Sequence, residues 1–284
     1  MKKQNYQIYA LITIFFWSMA FIFTRMTLPY FSASSLGFLR YLIASAALIV
    51  LVTKMKPPQL KDCPLFLLSG AIGFFLYMIT FNQGLVSVPA ATASVVNATV
   101  PAVTALIAGV VYKEKIRKVQ WIAILIELVG VVVLTVMSGG LSAGKGLLWM
   151  FGAALSLSTY NILQRKLTQT YTALQASTFS IFFGTLLLAI FAPTAMRELA
   201  AAPPIQYAYV AFLGIFPSAI AYVSWSVAFA KAERTSQVSN FMVLVLFFTS
   251  ILGILILGEA LNPATLCGGG ITLAGVLLFN HESQ

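Results

Sequence analysis

Acidic side chains, histidine and cysteine are nearly absent from this sequence, which has seven Asp and Glu, one His and two Cys in 284 residues. Each scarcity excludes something. Two cysteines build no disulfide framework. The lone His281 stands in a polar tail, too isolated to ligate a metal or complete a triad, so no metal or cofactor is expected and the chain does not read as an enzyme. One stretch comes close to a phosphate loop: GGLSAGKG (139–146) has the GxxxxGK spacing from Gly139 to Gly144 and Lys145. It fails at Gly146, where a Ser or Thr must reach magnesium, and it follows an apolar run rather than a strand. It reads as a flexible joint. With no energy-transducing domain, uphill work by this chain would have to draw on an ion gradient.

What is abundant is apolar surface. The chain is 60% hydrophobic and 8% charged, with mean hydropathy +0.94. A bilayer core about 30 Å thick takes roughly 20 apolar residues per helix. Ten such segments fit, at 6–28, 33–53, 63–84, 90–112, 119–138, 144–166, 172–192, 206–230, 236–257 and 264–280. The breaks carry turn chemistry: Pro29, Pro57-Pro58, Pro89, Gly139-Gly140, Pro193, Pro203-Pro204 and Asn262-Pro263. Long apolar runs rather than short alternating strands predict helices and not a barrel. The fold class is all-α: a polytopic membrane protein of ten transmembrane helices.

The net charge of +10 is distributed by side. With the N-terminus in the cytoplasm, thirteen Lys and Arg fall inside, three (Arg25, Lys145, Arg197) fall outside, and Arg40 is left within the second span. That bias is the positive-inside pattern for an even span count with both termini cytoplasmic. The basic run KEKIRK (113–118) is therefore a topology signal, and nucleic acid is not an expected partner. The first apolar run passes twenty residues without a small-residue cleavage site and reads as an uncleaved span. This topology puts Cys63 and Cys267 on opposite faces of a cytoplasmic-type (inner) membrane.

A repeat runs through the chain. The stretch 90–134 returns at 236–279, 145 residues later, pairing Ser94 with Ser239, Thr104 with Thr249, Glu114 with Glu259 and Gly130-Val131 with Gly275-Val276. Two five-span halves, 1–140 and 141–284, would lie inverted in one membrane and enclose a solute site near the midplane.

Helical spacing supplies candidate lining residues. Span 4 carries Ala90, Ala93, Ser94, Asn97, Pro101 and Thr104 every three or four positions, and span 9 repeats this with Ser239 and Asn240. Trp17 in span 1, Tyr77 and Asn82 in span 3, Tyr160, Asn161 and Gln164 in span 6, and Tyr222 and Trp225 in span 8 complete the set. Singly, Asn and Gln glue helices and Tyr and Trp form interfacial belts. As a set spread over both halves they point to a solute site. Pro101 and Pro217 each remove a helical hydrogen bond, as hinges or as static bends. Glu127, inside span 5, is expected to be protonated, paired or turned toward water. Arg40 is its expected partner, either as a structural ion pair or in a proton-coupling role. Glu114 and Glu259 would tie loops to the amides of the next helix, and CGGGITLAG (267–275) would admit close approach by another helix, within the fold or in a dimer.

FFWSMAFIFTR (15–25), LRYLIA (39–44), YKEKI (112–116), LVGVVVL (128–134), GLLWMFGAALSLSTYNILQRK (146–166) and LGEALNPATLCGGGITLAGVLL (257–278) together resemble the EamA-type drug/metabolite transporters over nearly the whole chain. The resemblance implies two inverted five-helix repeats, a cavity lined by spans 1, 3, 4, 6, 8 and 9, spans 5 and 10 as outer scaffold, and export rather than uptake. One departure is that Pro101 of span 4 corresponds to Leu246 of span 9. The expected function is a secondary transporter of a small neutral or zwitterionic metabolite such as an amino acid, working by alternating access, as monomer or homodimer among membrane lipids. A passive uniporter or channel, or a lipid-carrier flippase, are the alternatives.

Overall fold

The computed structural model describes residues 6–52, 55–113, 116–137, 141–232, 238, 241–260 and 262–282. Glu114, Gly139-Gly140, Ser236, Ser239 and Asn240 lie outside the described residues. Among the described residues ten helical spans follow one another: α1 (Tyr6–Thr27), α2 (Ala33–Val52), α3 (Leu60–Ser87), α4 (Ala90–Val111), α5 (Lys118–Met137), α6 (Leu141–Leu167), α7 (Ala173–Ala201), α8 (Pro204–Lys231), α9 (Met242–Leu257) and α10 (Pro263–Glu282). Among the described residues there is no strand. Among the described residues six spans (α1, α3, α4, α6, α7 and α8) are long and apolar enough to cross a membrane on length and composition alone. This is an all-helical protein of membrane character.

Turn chemistry ends several helices where the sequence predicts, but α7 runs past the expected break at Pro193 to Ala201, because Pro193 falls in the first turn of its last segment, where its missing N–H costs nothing. Thr172 caps α7 in a reciprocal box with Gln175, satisfying amides that the first turn leaves unpaired. Gly258 closes α9 at φ 64°, a left-handed conformation that glycine adopts without a Cβ penalty. Prolines stand at the starts of α8 and α10, where the missing N–H costs nothing.

Inside the spans of the described residues the backbone departs from α-helix at four places, one of them a 3₁₀ turn at Ala189–Phe191 in α7, just before Pro193. A π turn at Ala71–Leu76 interrupts α3, and another at Phe216–Ile220 interrupts α8. Their first residues are 145 positions apart, the spacing of the sequence repeat. Pro217 lies within the second, and the first has no proline, so the wide turn does not require one. In α4 the helix breaks at Ala98-Thr99 and restarts at Val100 with Pro101 in its first turn.

Packing crosses between the halves of the chain. α5 lies along α10 in the most extensive helix pair. α1 packs on α8 and α9, while α6 packs on α3 and α4; α2 packs on α7 and α8, while α7 packs on α2 and α3; α4 meets α9. Small residues permit the closest approaches. A Cβ on Gly275 would stand 2.8 Å from the Ala123 carbonyl and 2.7 Å from Glu127, and one on Gly268 would stand 2.7 Å from the Gly130 carbonyl. The glycine run of α10 thus serves the fold itself. Hydroxyl pairs add bonds at other crossings: Ser45 Oγ to Thr185 Oγ1 at 2.8 Å between α2 and α7, and Ser180 Oγ to Ser69 Oγ at 2.9 Å between α7 and α3. Exposed Leu125, Val129 and Val132 on α5 and Ile251 and Leu255 on α9 face outward, as a lipid-facing surface would.

Off the spans, Tyr171 between α6 and α7 donates to Asp62 Oδ2 at 2.6 Å and accepts from the Gln59 amide at 3.0 Å, clipping the start of α3 to that turn. The bond to the Asp62 carboxylate raises the Tyr171 pKa, because ionising the phenol would remove the donor. A raised pKa means that the clip holds fully below the ordinary tyrosine range and is lost as pH rises through the folded-state value.

If the α5–α10 seam is as tight as the glycines indicate, Gly275→Val should cost about 1–3 kcal/mol by overpacking. Thermal unfolding of purified protein in detergent should show the loss, while Gly270→Ala, where no atom lies within 4 Å, should unfold with the parent. Equal melting of the two variants would contradict the packing described.

Candidate functional site

The two π turns deliver aromatic residues to the middle of the molecule. Tyr77 follows the first directly and Tyr222 stands two residues past the second. Trp17 of α1 meets Trp225 and Tyr222 of α8 at ring-centroid distances of 5.1 and 5.2 Å. Tyr222 continues to Phe74 of α3 at 5.1 Å and to Tyr160 of α6 at 6.0 Å. Phe74 in turn lies 5.1 Å from both Tyr41 of α2 and Tyr160, and Tyr77 stacks on Phe81 at 5.5 Å. Most of these contacts are edge-on or tilted, the arrangements that aromatic quadrupoles favour. A glycine makes room for the cluster, since a Cβ at Gly73 would collide with the Tyr160 ring.

Polar tips among these rings are incompletely satisfied. Trp17 Nε1 donates to the Pro217 carbonyl at 3.3 Å, inside the π turn. Trp225 Nε1, Gln164 Oε1 and Asn97 Oδ1 are buried without a hydrogen-bond partner. The Tyr41 and Tyr160 hydroxyls lie near those of Tyr222 and Ser177 without hydrogen-bond geometry. Buried polar atoms are normally paired, and three of the unpaired ones, on Tyr41, Tyr160 and Trp225, belong to the rings of the cluster.

Arg40 stands in the same neighbourhood, 3% exposed. Its Nε donates to Ser218 Oγ at 3.3 Å and its Nη1 to Thr24 Oγ1 at 3.2 Å. The ionisable groups acting on it are the phenols of Tyr41, Tyr77 and Tyr222. The expected Arg40–Glu127 pair is not found. α2 packs on α7 and α8, whereas α5 packs on α10, so the two side chains belong to different parts of the bundle. Glu127 lies buried in the α5–α10 seam against Gly275, its Oε2 without a hydrogen-bond partner.

The other predicted residues divide. Gln164 Nε2 donates to Ser177 and Ser226, 3.0 Å each, and those two serines hydrogen-bond to one another, binding α6, α7 and α8. Asn82 Nδ2 donates to the Ala33 carbonyl at 2.8 Å, holding α3 to the start of α2. Asn161 reaches Thr104 only at 3.5 Å. These three amides fasten helices, whereas Trp17, Tyr77, Tyr160, Tyr222 and Trp225 converge. Asn240 is outside the described residues. Tyr41 and Phe74 are central but were not singled out, because nothing in an apolar run marks which ring points inward. Span 2, expected to lie outside the lining, supplies both Tyr41 and Arg40.

At one end of the bundle Arg25 and Glu259 form a clamp. Glu259 accepts from the Ala90 amide (3.1 and 3.0 Å to its two oxygens) and from the Ala91 amide at 3.5 Å. A carboxylate at a helix N-terminus is favoured by the unpaired amides and by the helix dipole. Arg25 Nε lies 3.5 Å from Glu259 Oε1, and Arg25 Nη1 donates to the Leu85 and Val88 carbonyls at 2.9 and 3.0 Å. The ends of α1, α3, α4 and α9 are thereby tied together. The amides that Glu259 holds are those of α4 and not of the following helix α10, because α9 ends beside α4 in space.

Comparison with known proteins places this architecture. The model of the EamA-like transporter family matches the chain twice, at residues 4–136 and 144–281. A "probable terminal-alkyne amino-acid exporter" of Streptantibioticus cattleyicolor is 30% identical over 99% of this chain and 95% of its own. An uncharacterized transporter of Bacillus subtilis is 32% identical over 97% of this chain and 92% of its own. A protein of known crystal structure shares the fold with TM-score 0.68 at 18% identity, over 100% of this chain and 99% of that one. Family match and full-length likeness to transporters agree, and this chain belongs to the EamA-like transporter family.

Proposed function

We propose that this protein is a secondary transporter that exports a small neutral or zwitterionic metabolite of the amino-acid type, by alternating access around the central aromatic cluster. The observation that carries the reading is the convergence of Trp17, Tyr160, Tyr222 and Trp225, from three helices of both halves, with unpartnered polar tips among the rings. Rings can hold the apolar part of a solute, and orphan tips can take its polar groups. The amino-acid exporter named among the relatives supports the substrate class.

Residues 1–140 and 141–284 act as two inverted five-helix repeats in one integrated membrane domain. The double family match, the 145-residue spacing of the π turns and the exchange of helix contacts between halves support this. Both termini lie in the cytoplasm, which puts the Arg25–Glu259 clamp at the outer face of the inner membrane. Holding that clamp favours states closed to the outside, and a solute bound from the cytoplasm is released when the clamp opens. Glu127 is a structural carboxyl of the α5–α10 scaffold in this cycle.

The tips can be tested without emptying the core. Tyr160→Phe and Trp225→Phe should keep folded yield and lower flux of the amino acids tested in proteoliposomes about three- to tenfold, the worth of one hydrogen bond of 0.5–1.5 kcal/mol. Unchanged flux in both would reduce these tips to packing.

The clamp has its own readout. In a background lacking Cys63 and Cys267, a cysteine at Phe21 should react slowly with an impermeant thiol reagent applied to intact cells and several-fold faster once Glu259→Ala is added. Labelling only after permeabilisation would reverse the orientation, and an unchanged rate would mean that the clamp does not gate.

Glu127→Gln, which keeps the shape, should leave transport and its pH dependence unchanged in vesicles with an imposed pH gradient. Loss of gradient-driven accumulation with downhill exchange intact would instead make Glu127 the proton carrier.

A further inference from the structure

Arg40 carries a charge that no described carboxylate neutralises. A guanidinium has five N–H donors and no acceptor, and burying it without an anion is costly. Here two donors find neutral hydroxyls, at 3.2 and 3.3 Å, longer than the 2.7–2.9 Å typical of a charged donor on a charged acceptor. The described carboxylates are engaged elsewhere. Asp62 takes the Tyr171 bond, Glu198 takes the Ser32 amide, Glu259 takes Arg25 and the start of α4, and Glu127 lies in the α5–α10 seam. None forms an ion pair with Arg40.

The surroundings indicate what would. Ser218 belongs to the π turn of α8 and Thr24 to α1, and both helices also carry rings of the cluster. The phenols of Tyr41, Tyr77 and Tyr222 stand around the guanidinium. We propose that Arg40 is the anchor for a solute carboxylate, paired through its planar fork, while the rings of Trp17, Phe74 and Tyr222 receive the solute's apolar part. The planar guanidinium matches a carboxylate in two parallel bonds, which an ammonium cannot do. A phosphate dianion fits less well, because one central cation cannot balance it: Arg165 and Lys231 lie over Tyr112 and Tyr9 toward the helix ends, and Arg25 is held by the clamp. The inference rests on the transporter reading and adds a substrate class, small amphipathic carboxylates, of which amino acids are one kind.

Matched solutes test this on the unmodified protein in nanodiscs. L-phenylalanine, 3-phenylpropanoate and 2-phenylethylamine share a ring and differ in carboxylate and amine; L-leucine, 4-methylpentanoate and 3-methylbutylamine form the aliphatic set. In calorimetric titrations the acid, with or without its amino group, should bind in at least one set, and the amine should bind about ten- to hundredfold more weakly, the worth of a charged hydrogen bond of about 1.5–3 kcal/mol. Arg40→Lys and Arg40→Met should lose acid binding by a similar factor and bring acid and amine level. The anchor is refuted if the amine binds as tightly as its acid, if Arg40→Lys binds the acid with parent affinity, or if no acid of either set binds. The comparison of acid with amine needs no variant, so it decides even if both substitutions fail to fold. Counterflow in proteoliposomes separates the two readings. Arg40-dependent acid binding without flux of any solute leaves the anchor and removes the transporter, whereas flux that ignores the carboxylate leaves the transporter and removes the anchor.

Discussion

A peptide group without a partner in hydrocarbon costs several kcal/mol, so a chain this apolar can be irregular only where its own helices cover it. The rest of the structure follows from that constraint. The break in α4 sits among buried residues, and each π turn has a buried side, at Gly73-Phe74 and at Pro217–Ala219. The outward-facing α5 and α9 run as uninterrupted α-helix through their exposed Val, Leu and Ile. The widened turns fall beside the central rings, whereas the 3₁₀ turn of α7 at Ala189–Phe191 carries the exposed Ile190 and keeps its peptide groups bonded within the helix.

Cohesion between such helices cannot come from excluding water, since lipid tails are as apolar as leucine side chains. It comes from close approach and from hydroxyls. Gly130, Gly268 and Gly275 let α5 and α10 touch backbone to backbone, and Ser45–Thr185 and Ser69–Ser180 fasten α2, α3 and α7. Charge is spent sparingly and at the ends, as in Arg25–Glu259 and in the Tyr171–Asp62 clip. Two ionisable groups lie away from the ends, Glu127 in the α5–α10 seam and Arg40, a cation whose described hydrogen bonds go to hydroxyls.

Much of this was legible in the residues. Ten spans, their breaks and the membrane class follow from run length and from Pro and Gly placement, because lipid imposes one secondary structure and one length. Trp17, Tyr160, Tyr222 and Trp225 could be singled out because a polar tip on an apolar helix needs a reason. What could not be read was direction around each helix. Asn82 and Gln164 carry the same signal as Trp225 and yet fasten neighbouring helices. The Arg40–Glu127 pairing failed because depth in the membrane can be counted along a sequence, but the identity of the adjoining helix cannot. Glu259 was rightly placed at backbone amides and assigned to the wrong helix for the same reason. The π turns leave no mark in composition: one contains Pro217 and the other none.

Those turns have a consequence for how the protein can change over generations. A π turn holds one residue more than an α turn, so α3 and α8 each carry a spare residue at mid-length. Deleting it would let the turn tighten to α-helix with every peptide group still bonded, and because the wide turn had absorbed that residue the helix beyond would keep its facing. A single codon lost at Ala71–Leu76 or Phe216–Ile220 would therefore reshape the centre locally, drawing in one bulge without turning the rest of the helix or unmaking the bundle. Divergence in what the centre accepts could proceed by such local steps as well as by substitution.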